Sequence, residues 1–308
     1  MQAGKMINSL SEELAIRGYK GRVLSSGYIY ELQREIESQY RGGAFDEAFY
    51  AEELTGFNFN IPETISDAKS LIVVAAPQPQ VRVTFNWDGK SYSFIIPPTY
   101  SYATDERVKD LLAQHLVPKG YRFEKSILPW KLLAVRSGLA QYGKNNITYI
   151  QGMGSFYRLI AFVSDLPCSD DHWQELELLE QCGNCDACMK ACPSGAIGAD
   201  RFLLHGERCV TFHNERQGEF PRWLKPSWHN CLVGCMVCQK VCPVNKAFRK
   251  WMVDGPAFSE EETQSILFEK DENNAMPGAV LKLEALDMIE YRKVLGRNLS
   301  VLYKKIAG

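Results

Sequence analysis

No stretch of this sequence is apolar for long enough to span a membrane. The longest continuous apolar run, Leu71–Ala76, falls far short of the ~20 residues a bilayer-crossing helix needs. The N-terminus, MQAGKMINSLSEELAIRGYKG, has no apolar block of the signal-peptide kind and reads as an amphipathic helix. Together these absences predict a cytoplasmic protein with no membrane association. An excess of charge of one sign is missing too: 35 Lys and Arg stand against 37 Asp and Glu, for a net charge of -2. Surfaces that hold nucleic-acid phosphates are usually strongly basic, and that balance argues against a large one here. Internal repeats are absent apart from the cysteine pattern described below.

Cysteine is what the chain has in quantity, with ten in 308 residues. Disulfide frameworks belong to small secreted chains, and this chain is neither small nor visibly secreted. Nine of the ten cysteines lie between Cys182 and Cys242, most of them at ligand spacings, so the pattern points to metal. Cys168 stands apart and reads as a small buried residue.

The chain is long enough, at 45% hydrophobic residues, for more than one folding unit. Residues 1–20 have helical spacing, Gly21–Ser25 reads as a strand, and Tyr28–Tyr40 as a helix broken by Gly42–Gly43. AKSLIVVAA (68–76) fits a buried strand. VRVTFNW and KSYSFII alternate on either side of Asp88–Gly89, a pair suited to the positive φ of a type I′ hairpin turn. Asp105–Leu116 and Pro129–Ser137 read as helices, and Tyr157–Val163 as a strand. After the cysteine-rich region, Ser259-x-x-Glu262 is a capping-box sequence. A final basic helix over Asp287–Ala307 is expected to break near Gly296. The expected class is α+β: an α/β domain over 1–165, a ferredoxin-like metal domain over 166–250 and a helical extension over 251–308.

Cys182-x2-Cys185-x2-Cys188-x3-Cys192-Pro193 matches the bacterial two-cluster ferredoxin run, in which the first three thiolates hold one [4Fe–4S] cluster and the fourth holds the other. The second half, Cys235-x2-Cys238-x3-Cys242-Pro243, mirrors it, so Cys242 crosses back to the first cluster. One ligand of the second cluster is left open by spacing, with Cys209 and Cys231 as candidates. A four-thiolate zinc ribbon on Cys182, Cys185, Cys235 and Cys238 is the competing reading. It leaves Cys188, Cys192 and Cys242 unexplained at diagnostic spacings. His205, Cys209 and His213, at i, i+4 and i+8, offer a further zinc alternative, against a solvated helix face carrying one cluster cysteine.

AKSLIVVAAPQP (68–79), LAVRSGLAQYGKNNI (133–147), FVSDLP (162–167) and ERCVTFHNE (207–215), together with the cluster run, resemble the epoxyqueuosine reductase family, whose relatives include corrinoid-dependent reductive dehalogenases. The resemblance implies two [4Fe–4S] clusters, one on Cys182, Cys185, Cys188 and Cys242 and the other on Cys192, Cys209, Cys235 and Cys238. It implies a base-off cobalamin fed by them, with Arg136, Gly138, Gly143, Lys144, Asn145 and Thr148 in the segment that approaches the corrin and Thr211 beside a cluster. It further implies an external electron donor (a ferredoxin, flavodoxin or reductase) and a two-electron reduction of a small-molecule or macromolecule-borne electrophile.

Two departures qualify the resemblance. The family's proton-donating Asp falls on Glu124, so the catalytic expectation rests on Glu124, with Tyr100 or Tyr142 as substitutes. The chain ends at Gly308, where many family members continue into helical repeats that grip tRNA, so tRNA is not the expected partner. An electron carrier that serves a partner protein, without a corrinoid of its own, is one alternative to this reading, and a true epoxyqueuosine reductase acting on tRNA is another.

Overall fold

The structure is a computed structural model, which describes residues 2–168, 172–268 and 276–307. The chain divides into two compact units: Met1–Pro77 with Ala103–Asp186, and Gln78–Tyr102 with Ala187–Gly308. This division differs from the boundaries at 165 and 250 read from the sequence, because the hairpin after residue 77 packs with the C-terminal part of the chain.

The first unit is built on a sheet of β1 (Lys20–Ser25), β2 (Ser70–Pro77), β8 (Tyr157–Ser164) and β5 (Phe123–Lys125), in that spatial order. Every pairing in it is antiparallel. The apolar run of β2 is continuous because both of its faces are covered. Leu71, Val73 and Ala75 point into one core with Ile29, Leu32 and Ile36 of helix Tyr28–Arg41 and with Leu132–Val135 of helix Trp130–Arg136. Ile72, Val74 and Ala76 point into a second core with Leu10 and Leu14 of helix Gln2–Ile16 and with Val108, Leu111 and Leu112 of helix Ala103–Leu116. A residue step of two along the strand thus divides one sequence between two cores. The short pair β6 (Gln141–Tyr142) and β7 (Thr148–Tyr149) completes the unit, closing a tight turn in which Gly143 donates its N–H to Ile147 O at 2.8 Å.

The second unit holds β3 (Gln80–Trp87), β4 (Lys90–Ile96) and β9 (Met252–Phe258), in the order β4-β3-β9. The hairpin turn has φ of 50° at Asp88 and 66° at Gly89, the positive values a type I′ turn requires. Strand β9 replaces the purely helical region read from the sequence after residue 250. It pairs parallel with β3 as an edge strand, and Pro256 lies at a register shift in that pairing, so both the edge and the irregularity accommodate it. The Ser259 hydroxyl accepts from the Glu262 N–H at 3.2 Å while the Glu262 carboxylate accepts from the Ser259 N–H at 2.7 Å, so the capping box forms.

The last helix, Arg292–Ala307, runs through Gly296 without a break, contrary to the sequence reading. Glycine serves close packing there: a Cβ on Gly296 would lie 2.5 Å from Ile266 O and 3.2 Å from Leu267 O. Both contacts are backbone atoms that cannot swing away. Gly296→Ala is therefore expected to destabilise the second unit by ~1–3 kcal/mol of overpacking, despite the gain of about 1 kcal/mol in helix propensity. Denaturant unfolding of the two proteins checks the sign.

Candidate iron–sulfur centre

The first two cysteines of the run close the first unit. Cys182 ends a single 3-10 turn, Glu180–Cys182, and the Cys185 N–H reaches back to Cys182 O at 3.3 Å. This loop is clasped by Lys144, whose ammonium donates to Gly183 O and Cys185 O, each at 3.1 Å. The Lys144 ammonium is thus engaged with carbonyls of the cysteine loop.

The other seven motif-region cysteines belong to the second unit, where two short helices, Ala187–Ala191 and Val237–Val241, carry Cys188 and Cys238 and pack against each other. Cys192 follows the first of these helices, its N–H on Cys188 O at 3.0 Å, and Cys242 caps the second. Cys209 is the N-cap residue of helix Val210–Glu215. Burial pushes the Cys209 thiol up to about 11, the thiols of Cys235 and Cys192 add to the rise, and hydrogen bonds from Thr211 oppose it. Cys192, Cys209 and Cys235 thus act on one another electrostatically, and Thr211 addresses the Cys209 sulfur.

Cys231 is fully buried, and its thiol donates to Asn230 Oδ1 at 3.2 Å. Burial, then the neighbouring Cys235, drives its pKa far up. Asn230 is a residue the sequence reading missed. Its amide nitrogen donates to Cys235 Sγ at 3.1 Å and its carbonyl accepts from the Met236 N–H at 2.9 Å, which fixes the turn that presents Cys235. An asparagine directly ahead of the Cys231–Cys242 block was the available signal, since Asn side chains bond nearby backbone in turns.

The zinc alternative on His205, Cys209 and His213 loses its premise, because these residues do not share a helix. His205 precedes a 3-10 turn over Gly206–Arg208, and the helix begins only at Val210. His205 lies 3.3 Å from carboxylate oxygens of both Asp200 and Glu207, while His213 Nε2 donates to Glu207 O at 2.9 Å. Among the described residues, no three His, Cys, Asp or Glu side chains are grouped for a single ion.

The segment expected to approach a corrin lies in the first unit, and its polar side chains are engaged there. Arg136 donates to Glu35 Oε2 through two nitrogens at 2.8 and 3.0 Å and to Gln174 O at 2.9 Å, and its guanidinium lies over Trp173. Asn145 donates to Tyr149 OH at 2.9 Å, and Thr148 Oγ1 accepts from Tyr157 OH at 2.7 Å; both residues are buried. A Cβ on Gly138 would meet the Gln174 amide at 2.6 Å, and one on Gly143 the Tyr149 ring at 2.7 Å, so each glycine makes room for a neighbour in its own unit. Buried polar atoms without a partner occur elsewhere in the described residues, none of them in this segment. Arg136, Lys144, Asn145 and Thr148 thus each have a partner within their own unit.

Glu124 sits exposed on β5 opposite Val163 and accepts a hydrogen bond from the Thr64 hydroxyl. The tyrosines named as substitutes are buried. Burial, then the Glu215 carboxylate that its hydroxyl bonds, drives Tyr100 far above the usual phenol range. Burial, then the Glu35 charge, also raises Tyr142. A phenol that holds its proton more tightly is a weaker acid, which leaves Glu124 as the better candidate of the three.

Residues 181–245 match the model of a 4Fe-4S double cluster binding domain. In sequence the chain is similar to the epoxyqueuosine reductase of Escherichia coli (strain K12), 32% identical over 144 residues, which covers 46% of this chain and 37% of that protein. The epoxyqueuosine reductase of Yersinia pestis is 36% identical over 115 residues, covering 37% of this chain and 27% of the relative. These alignments span well under half of each relative. In structure the chain is similar to epoxyqueuosine reductase from Streptococcus thermophilus, with a TM-score of 0.65, 17% identity, and coverage of 100% of this chain and 81% of that one. A solved epoxyqueuosine reductase with an epoxyqueuosine-modified tRNA stem loop matches with a TM-score of 0.55 and 20% identity, over 90% of this chain and 82% of that one. The resemblance read from the sequence is borne out, and the double-cluster match supports the two [4Fe–4S] clusters.

Iron content reads out the eighth ligand. With Cys209 as that ligand, Cys209→Ser lowers the iron content of anaerobically purified protein from about eight towards about four per chain, whereas Cys231→Ser leaves it near eight. Iron and sulfide analysis of the two variants distinguishes them, and the reverse pattern would transfer the role to Cys231.

Proposed function

We propose that this chain, which belongs with the epoxyqueuosine reductases, is a cytoplasmic iron–sulfur oxidoreductase that passes electrons from an external donor through two [4Fe–4S] clusters to the two-electron reduction of an electrophile. The observation that carries the reading is the match of residues 181–245, which hold nine cysteines, to a 4Fe-4S double cluster binding domain. Clusters held by these cysteines would supply one-electron transfer, so a two-electron reduction would draw on both or on two successive deliveries.

The ligand sets in this reading are Cys182, Cys185, Cys188 and Cys242 for one cluster and Cys192, Cys209, Cys235 and Cys238 for the other. Partly buried sulfurs and hydrogen-bond donors onto them, from Asn230 and Thr211, suit clusters whose potential depends on such bonds. Glu124 is the proposed proton donor to the reduced product. The three expected domains, 1–165, 166–250 and 251–308, are retained as sequence segments carrying the acceptor site, the clusters and the extension.

Cobalamin is the acceptor the family resemblance implies, and it would supply a strongly reducing two-electron centre when bound. Because Arg136, Lys144, Asn145 and Thr148 are spent on internal partners, no step is assigned through it. That commitment favours a second reading, in which the clusters deliver electrons to a partner protein and the chain holds no corrinoid.

Titration of the anaerobic, cluster-loaded protein with cob(II)alamin, followed by EPR, separates the two. A base-off signal that saturates at about one equivalent supports the corrinoid reductase, and no binding at high corrinoid supports the carrier. In the reductase case the epoxyqueuosine-modified stem loop is the first electrophile to assay. Replacing the donor in Glu124→Gln is then expected to slow turnover by about 10²-fold or more, with cluster content unchanged. Full activity in that variant removes Glu124 from the chemistry.

A further inference from the structure

The segment between Cys209 and Cys235 is longer than cluster ligation requires. Its exposed part, RQGEFPRWLKPSW (216–228), carries Arg216, Arg222 and Lys225 with a single acid, Glu219, in a chain of net charge -2. Trp223 is 44% exposed in the middle of it, a large aromatic surface left to solvent. The last turn of helix Arg292–Ala307 adds the exposed Lys304 and Lys305.

This surface is held rigid. Arg297 donates to His213 O at 2.9 Å and to Gly218 O, and its guanidinium lies 3.9 Å from the Phe220 ring centroid. Lys305 donates to His229 O at 2.7 Å, so the basic helix pins the segment near both ends. Cationic heads surround aromatic rings, Lys225 over Trp228 at 5.8 Å and Trp223 against Trp228 at 6.3 Å. Preformed patches of Arg and Trp with a charged rim are the composition of protein interfaces, and ordering them beforehand lowers the cost of docking.

The surface is also tied to the cluster ligands. Trp223 packs edge-on against His213, with ring centroids 5.0 Å apart. His213 lies in helix Val210–Glu215, which starts at Cys209 and is only about 9 Å long at 1.5 Å per residue. A protein seated on Trp223 would therefore stand one short helix from the Cys209 sulfur.

We infer that the Arg216–Trp228 surface is the docking site for a small acidic electron-transfer protein that reduces the cluster held by Cys209. Complementary charge would steer such a carrier, and redox partners use small, short-lived interfaces. One electron leaves the carrier's reduced iron and enters the oxidised cluster. The carrier is oxidised and the cluster reduced by that electron, no bond forms or breaks, and no proton moves. The inference rests on the two-cluster reading.

The test uses the cluster-loaded full chain, its Arg222→Glu/Lys225→Glu variant and, as a milder second variant, Trp223→Ala. The probe is a reduced acidic [2Fe–2S] ferredoxin, with dithionite as a reductant that needs no docking. At low salt the charge reversal is expected to weaken ferredoxin binding and slow stopped-flow cluster reduction about tenfold or more, and the difference should close near 1 M salt. Trp223→Ala should slow it at every salt concentration, and dithionite should reduce all three proteins equally. Equal rates with ferredoxin in parent and variants overturn the inference while leaving the cluster reading intact. Loss of binding to a tRNA stem loop, with ferredoxin reduction unchanged, assigns the surface to RNA and also overturns it. A parent protein with no dithionite-reducible cluster overturns both readings.

Discussion

Crowding of sulfur is the constraint on which the second unit depends. Burial raises the thiols of Cys209 and Cys235, Cys235 and Cys192 push Cys209 further up, and Cys192 does the same to Cys235. Several thiolates cannot share such a region unless positive charge compensates them, because burying unpaired charge is costly. Iron bound there would supply that charge, which would link ligand deprotonation, metal loading and the packing of this unit. The hydrogen bonds from Asn230 and Thr211 act in the same direction, favouring the charged sulfur. The short helices at Ala187–Ala191 and Val237–Val241 carry too few residues to be stable alone, and their mutual packing gives the clusters a defined frame.

Around this frame the unit recruits distant chain. Strand β3, from the middle of the sequence, lies between its hairpin partner β4 and the parallel edge strand β9. Asn298, on the last helix, donates to Asn214 O at 2.8 Å and Leu232 O at 3.0 Å, linking that helix to both arms of the cysteine region. Asn214 in turn donates to Gly234 O at 2.8 Å, directly before Cys235. A C-terminal helix that reads as a basic helix in sequence is therefore bonded to the residues that present the cluster cysteines.

Much of this was legible where the signal is local. Asp88–Gly89 between alternating strands, Ser259 three residues before Glu262, and the buried run of β2 are each decided by backbone geometry or periodicity within a dozen residues. The cysteine spacings are of the same kind, since a tight turn around one corner of a cluster fixes x2 and x3 intervals. What escaped was non-local. Met252–Phe258 contains Gly255 and Pro256, which argue against a strand until β3 is known to lie beside it. Gly296 reads as a helix breaker until the backbone of Ile266 is found pressed against it. Asn230 reveals its role only through the sulfur it touches.

The least expected outcome concerns the family-like segment around residues 136–148. Its polar residues invite a cofactor, yet each has an internal partner of comparable specificity: Glu35 for Arg136, Tyr149 for Asn145, Tyr157 for Thr148. Lys144 is the informative case, because its two carbonyl partners, at Gly183 and Cys185, belong to the loop that presents the first cysteines. An ammonium at the carbonyls of a cysteine-rich loop orders that loop and brings positive charge to the chain beside thiolate ligands. Support of the cluster loop thus gives Lys144 a task of its own in this segment. Sequence likeness to a cofactor-binding segment and commitment to a second structural task are compatible in one stretch of chain, and only the side-chain partners tell them apart.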